Sequence, residues 1–172
     1  MNIYALFPLI AVIAYLPLLV TTASSRPWQR RNALFILFLI SAIMWTLTDV
    51  FLRSHLYPQH NFLLLQLILI TFTLTAVQFH CFISTFYGPG QGRWLPLAYA
   101  SLAIAITLVL LGYIPEGVTA DGDKVYLNYG RGIIFIAIPL VTLLCRTVYV
   151  FWNRLKALDN PILYNQIVSL LL

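Results

Sequence analysis

The amino-acid sequence predicts an all-α membrane protein, a polytopic bundle of five full transmembrane helices followed by part of a sixth. Of its 172 residues, 61% are hydrophobic and only 9% are charged, and the mean hydropathy is +0.89. Soluble domains carry about 25% charged residues, so these charges are too few to cover a water-facing surface. Most of the chain must therefore face lipid or other helices, which excludes a soluble enzyme domain.

The predicted spans are apolar runs near the roughly 20 residues that a helix needs to cross a bilayer. They cover about residues 3–22, 32–52, 62–87, 95–114 and 133–152, with a partial run at 162–172. The first run is interpreted as a retained helix, because Met1-Asn2-Ile3-Tyr4 lacks the positive region of a signal peptide. The last run is too short to span, so we expect residues 1–172 to be one transmembrane domain, incomplete at its C-terminus.

The distribution of basic residues predicts the orientation. Arg26, Arg30 and Arg31 lie between the first and second runs, and Arg154 and Lys156 follow the fifth. Because positive loops stay in the cytoplasm, both regions are expected to be cytoplasmic. The N-terminus is therefore predicted to be extracytoplasmic.

The connection between the fourth and fifth runs is predicted to form a short extracytoplasmic hairpin. Val118-Thr119-Ala120 and the segment 123–129 flank Asp121-Gly122, and an Asp-Gly pair is typical of a tight hairpin turn. A lone two-stranded hairpin is only marginally stable in water. We therefore expect it to lean on the outer helix ends.

Polar residues inside the third run are candidates for function, because each needs a partner within the membrane. Gln78 shares a helix face with Thr71 and Thr75, whereas His80 repeats at seven-residue spacing with Thr73. One interpretation is hydrogen bonding to neighbouring helices, worth about 0.6–2 kcal/mol per contact. The other is that part of this stripe lines a ligand or water cavity.

Asp49 lies near the outer end of the second run, one turn after Trp45. Arg53 follows four residues later on the same helix face, so a local ion pair is one interpretation. The alternative is an outward-opening pocket that holds a polar or cationic ligand. On that second interpretation Trp45, Asp49 and Gln78 are the predicted ligand-binding residues.

Arg146 lies inside the fifth run, about two turns before Arg154. It either extends to the headgroups, as long arginines near helix ends do, or points inward to backbone carbonyls or a carboxylate. His80 could ligate a haem only with a second axial histidine at similar depth, and His55 and His60 lie at the opposite end. No cofactor is therefore predicted.

Several function classes lack their signature residues. The sequence has no glycine-rich phosphate loop, no metal-ligand cluster and no catalytic triad pattern. The formal net charge is +5, but the basic residues lie in short connections between apolar runs, so nucleic-acid binding is not predicted. The expected partner is the lipid bilayer, and no catalytic or metal site is assigned.

Four segments together carry a family resemblance. They are the basic turn 26–31, the run from Asn32 to Trp45, the aromatic end of the third run at 79–87, and the segment 158–167, which reads Leu-Asp-Asn-Pro-Ile-Leu-Tyr-Asn-Gln-Ile. Together they resemble the N-terminal seven-transmembrane sensor region of bacterial histidine kinases and related cyclases. The resemblance covers essentially the whole chain, as the first five helices and the start of the sixth. It implies an extracytoplasmic N-terminus, a cytoplasmic output domain after a seventh helix, and a homodimer in the full-length protein.

The function expected from these features is that of a signal-input module in the bacterial cytoplasmic membrane. It would relay an unknown small ligand or membrane cue, with any kinase or cyclase activity outside these residues. The alternatives are a small transporter or channel subunit and a non-enzymatic membrane assembly subunit. A transporter predicts internal repeats with paired helix breaks, but Pro139 in the fifth run has no clear counterpart.

Overall fold

A computed structural model of the chain describes residues 3–54, 58–85, 94–121 and 124–156. The described residues form five α-helices and two strands. In chain order these are α1 (Ile3–Ser24), α2 (Arg30–Arg53), α3 (Asn61–Ser84), α4 (Trp94–Leu110), β1 (Gly117–Asp121), β2 (Lys124–Asn128) and α5 (Ile134–Lys156). The predicted partial span 162–172 lies outside the described residues, as do the last two residues of the predicted span 62–87.

Four of these helices, α1, α2, α3 and α5, are long and apolar enough to cross a membrane. Their outward positions carry large apolar side chains, such as Phe7 at 73% exposed and Phe135 at 64% exposed. Exposed apolar surface on this scale is unfavourable in water and suits a lipid environment. The predicted multi-pass helical membrane protein is confirmed at this level.

Helix α4 is shorter than its sequence predicts. It has 17 residues, which corresponds to a length of about 25 Å, and it ends at Leu110 rather than at the predicted residue 114. Gly112 has φ of +75°, and the Tyr113 amide donates to the Leu108 carbonyl at 3.0 Å. This left-handed glycine ends the helix, although the following Tyr113-Ile114 is still apolar.

The helices alternate in direction. Phe35 near the start of α2 packs on Phe82 near the end of α3, with ring centroids 4.9 Å apart, so α2 and α3 are antiparallel. Gln66 near the start of α3 donates to the carbonyl of Val109 near the end of α4 at 3.2 Å. We call the end of the bundle that carries the strands the hairpin end, and the end where α2 starts, at Arg30, the basic end.

The two strands are antiparallel, with Gly117 opposite Asn128. The residues at 122–123, in the turn between them, lie outside the described residues. The chain just before β1 is fixed to the bundle by Ile114, which is fully buried in the apolar cluster formed by α3, α4 and α5. Tyr129, just after β2, packs against the same cluster.

The core follows α3, the helix that packs against α2, α4 and α5. At the hairpin end, Leu69 of α3 lies in the cluster that includes Val109 and Ile136. At the basic end, Val77 and Cys81 of α3 pack with Ala98 and Leu143. Helix α3 is therefore the central element of the bundle. The candidate site is built on it.

Candidate functional site

The last two turns of α3 bring polar side chains into contact with α4 and α5. The residues concerned are Gln78 and His80 of α3, Tyr99 of α4, and Arg146 and Thr147 of α5, and we call this set the polar layer. Three of the residues singled out by sequence, Gln78, His80 and Arg146, belong to it. Within the layer His80 and Thr147 are buried, Gln78 and Arg146 are half-buried and Tyr99 is exposed.

His80 connects α3 to α5. Its Nδ1 lies 3.1 Å from the Thr147 hydroxyl oxygen, and both side chains are buried, at 1% and 4% exposed. The Thr147 hydroxyl oxygen also lies 2.9 Å from the Leu143 carbonyl oxygen, and its single hydrogen goes to only one of these two neighbours. The tautomer of His80 decides whether Nδ1 donates or accepts, and in both arrangements the hydrogen bond joins α3 to α5.

Arg146 lies next to this contact and is held by aromatic rings. Its guanidinium carbon is 5.4 Å from the centre of the Trp94 ring and 5.7 Å from that of Tyr149. Its Nε is buried and has no hydrogen-bond partner among the described residues. The arginine thus reaches toward Trp94, the first residue of α4, and among the described residues its charge is stabilised by cation–π contacts rather than by a carboxylate.

Gln78 faces a different side of α3. It is half-buried, its Oε1 is buried without a hydrogen-bond partner among the described residues, and its side chain interacts with the Tyr99 hydroxyl. Tyr99 also interacts with the Cys81 thiol, one turn after Gln78. Alpha-helix α3 therefore presents Gln78 and Cys81 to α4, and His80 to α5.

The other two predicted ligand-binding residues lie elsewhere. Trp45 packs on Phe72 of α3, with ring centroids 5.1 Å apart. Phe72 precedes Gln78 by six residues, a distance of about 9 Å along the α3 axis. Asp49 lies one turn further along α2, about 6 Å closer to the hairpin end. The structure does not bring Trp45, Asp49 and Gln78 together around one small ligand.

Asp49 forms the local pair that its spacing predicts. Arg53 Nε donates to both carboxylate oxygens at 2.9 and 2.8 Å, with Asp49 22% and Arg53 47% exposed. Tyr129, beside β2, has its pKa raised by burial and by the Asp49 carboxylate, with Arg53 acting in the opposite direction. The Asp49–Arg53 pair therefore lies close to Tyr129, the residue that follows β2.

The threonines of α3 do not join helices. Thr71, Thr73 and Thr75 each donate to the carbonyl four residues earlier in their own helix, at 2.7–2.8 Å. The interpretation that this stripe hydrogen-bonds neighbouring helices therefore does not hold at these three threonines, because a threonine hydroxyl inside a helix reaches its own backbone more easily, whereas it holds at His80. Gln66 does reach a neighbour, through the Val109 carbonyl.

Sequence reasoning missed three members of this region. Thr147, Tyr99 and Trp94 were not assigned to it. Thr147 carried a usable signal, since it is polar and follows Arg146 directly inside an apolar run. Its pairing with His80, 67 positions away, follows only from the packing of α3 against α5.

Among the described residues, no group of three or more His, Cys, Asp or Glu side chains could hold a metal ion. Comparison with protein families, with curated proteins and with solved structures finds no match to this chain. The function must therefore be argued from the polar layer and from the charge distribution.

Proposed function

We propose that this chain is the membrane-embedded input module of a bacterial signal-transduction protein. It relays a small ligand or membrane cue to a cytoplasmic output domain, and any kinase or cyclase activity belongs to that domain. The observation that carries the proposal is the polar layer, where α3, α4 and α5 meet through single polar contacts within an otherwise apolar bundle. The resemblance to seven-transmembrane sensor regions supports the same conclusion.

The mechanism follows from the contacts of α3. A cue shifts a two-state equilibrium only by binding one state better than the other. His80 forms a hydrogen bond with Thr147, and Arg146 contacts the Trp94 ring. A small rotation of α3 or α5 would break these two contacts and allow the side chains to bind other partners. Such a rotation would be passed along α5 toward the following helices and the output domain.

The proposal includes an orientation in the bacterial cytoplasmic membrane. The basic end faces the cytoplasm, because Arg26, Arg30 and Arg31 lie there, and the N-terminus and the strands are extracytoplasmic. In this arrangement α4 also crosses the bilayer, as the fourth of five crossings in chain order. Its antiparallel contacts with α3 near both of its ends support that assignment, despite its length of 17 residues.

The first test reads the gene beyond the codon for Leu172. The sensor proposal expects two further transmembrane helices and then a kinase or cyclase domain, and homodimerisation of the full-length protein. A stop codon directly after Leu172 would count decisively against an input module. Solute uptake by the purified, reconstituted chain would instead favour the transporter alternative.

The second test measures the output of the full-length protein with and without a change in the polar layer. Arg146→Gln removes the cation–π contacts with Trp94 and Tyr149 and should change basal output or cue response by about two- to five-fold, as loss of a contact of about 0.5–1 kcal/mol implies. Arg131→Gln is the matched control, because Arg131 is exposed near the strands. Equal output from the wild type and both variants would show that the polar layer has no role in signalling.

A further inference from the structure

A cavity of about 510 Å³ opens at the basic end, where α2 begins, α3 ends and α4 begins. Helix α2 contributes Arg30 and Arg31, the end of α3 contributes Ser84 and Thr85, and α4 contributes Tyr99. The Ser84 and Thr85 hydroxyls donate to carbonyls of their own helix, so the two guanidinium groups are the main donors that this space offers to an anion. Planar guanidinium groups bind phosphate through paired hydrogen bonds, so this lining suits a phosphate group.

The positive charge of this cavity is not neutralised by the described protein. Both arginines are exposed, and neither forms an ion pair among the described residues. The described acidic residues, Asp49, Glu116 and Asp121, all lie at the hairpin end. A positive cavity that faces no carboxylate of the described residues favours an anionic ligand over a cationic or neutral one.

Apart from Gln29, the remaining lining is apolar and consists of Leu34, Cys81 and Leu95, next to the polar side chains. Trp28, which is 51% exposed, and Trp94 lie at the same end of the bundle, and tryptophan is enriched where a bilayer meets water. The cavity therefore combines a phosphate-binding side with an apolar side at the depth where phospholipid headgroups join their acyl chains.

We propose that this cavity binds the phosphate headgroup of an anionic phospholipid. Basic pockets between transmembrane helices are a recognised way of holding such headgroups. Free phosphate shares the charge but has no chain to cover the apolar lining, so the lipid is the favoured ligand. This binding goes beyond the proposed signalling role, because it requires only that the chain lie in a membrane.

Arg30 is the decisive residue for a test. Arg31 also lines a second cavity of about 380 Å³, with Thr21 and Thr22 of α1, so its substitution would change two spaces. Arg26 provides the matched control, since it is an exposed arginine near the same end and lines neither cavity. Arg30→Gln and Arg26→Gln remove the same charge and differ only in contact with the cavity.

The purified chain in neutral detergent would be titrated with phosphatidylglycerol, with phosphatidylcholine and with inorganic phosphate, and bound species counted by native mass spectrometry. We expect one tightly held phosphatidylglycerol, bound about ten-fold or more weakly by Arg30→Gln, as loss of a charged hydrogen bond implies. Arg26→Gln should stay within about two-fold of wild type. Far-UV circular dichroism would confirm that both variants keep their helices.

Three results would overturn the proposal. Equal weakening by Arg26→Gln would show unspecific attraction to the basic end. Equal retention of phosphatidylcholine would show that the headgroup charge is not recognised. Inorganic phosphate binding as tightly as phosphatidylglycerol would make this a free-anion site and reject the lipid.

Discussion

Replacing Thr147 by valine removes a single hydroxyl from the interior of the bundle and keeps the shape of the side chain. In the wild type, Nδ1 of the buried His80 lies 3.1 Å from the Thr147 hydroxyl oxygen. The variant removes this hydrogen-bond partner. A buried polar group left unsatisfied costs about 1–3 kcal/mol, and hydrogen bonds between transmembrane helices contribute about 0.6–1.7 kcal/mol. We therefore expect Thr147→Val to lower the free energy of unfolding by about 1–2 kcal/mol.

Thr142→Val is the matched control on the same helix. Thr142 is exposed and donates only to the Ile138 carbonyl of its own helix, at 2.8 Å, so its hydroxyl joins no other element. Unfolding would be followed by circular dichroism while the chain, in mixed micelles, is titrated with sodium dodecyl sulfate. Thr147→Ser should recover most of the loss, because it keeps the hydroxyl.

A double-mutant cycle with His80→Leu assigns the loss to this pair. If the two side chains interact, the double variant should be less destabilised than the sum of the single variants, by about 0.5 kcal/mol or more. Strict additivity, or a Thr142→Val variant as unstable as Thr147→Val, would refute the reasoning. The helices α3 and α5 would then be joined by apolar packing alone.

Three further predictions concern the hairpin end. Gly130→Ala should destabilise the chain by about 1–3 kcal/mol in the same titration, because its conformation, with φ of +66° and ψ of −179°, is essentially restricted to glycine. A β-carbon at this position would also overlap the Glu116 side chain. An unchanged unfolding midpoint would contradict this prediction. Arg53→Gln should cost at most about 1 kcal/mol, and less in high salt, because the pair with Asp49 is partly exposed. The stability of the wild type should fall as pH rises above about 10. Folding raises the pKa of Tyr129 above its ordinary value of 10.0, so the unfolded state releases the Tyr129 proton first. Tyr129→Phe should reduce this loss of stability, and a variant with the same pH profile as the wild type would exclude the effect.

The sequence predicted the helices better than their ends. Residues 3–22 and 32–52 correspond closely to α1 and α2, because a long apolar run in a chain with few charges has little alternative to a lipid-facing helix. The end of α4 was misplaced by four residues, since Leu111 to Ile114 is apolar but not helical. Hydropathy cannot detect a left-handed glycine at residue 112 that turns Ile114 into the core.

The candidate site was predictable in its residue types and not in its pairings. Local spacing was sufficient for Asp49 and Arg53, because both lie on one helix face four residues apart. Periodicity placed His80 on a face of α3, but the partner on that face is fixed by which helix packs there. Thr73 and Thr147 both lie within hydrogen-bond distance of a carbonyl of their own helix, and Thr147 in addition contacts a histidine of a neighbouring helix, a difference that tertiary packing sets.

The two ends of α3 differ in how they resist movement, and this difference bears on the proposed signalling. At the hairpin end α3 contributes Leu69 to a cluster with Val109 and Ile136, and close-packed apolar side chains resist rotation because any void loses contacts outright. At the basic end Val77 and Cys81 of α3 form a second buried apolar cluster with Ala98 and Leu143, and α3 is also joined to α5 there by the His80 hydrogen bond, which can form again with another partner after a small displacement. A cue that moves α3 would therefore disturb apolar packing at either end, and its additional effect at the basic end would be to change polar contacts such as that of Arg146 with Trp94. The proposed output domain lies on that side, so the polar contacts are placed where movement of the helices has to be transmitted.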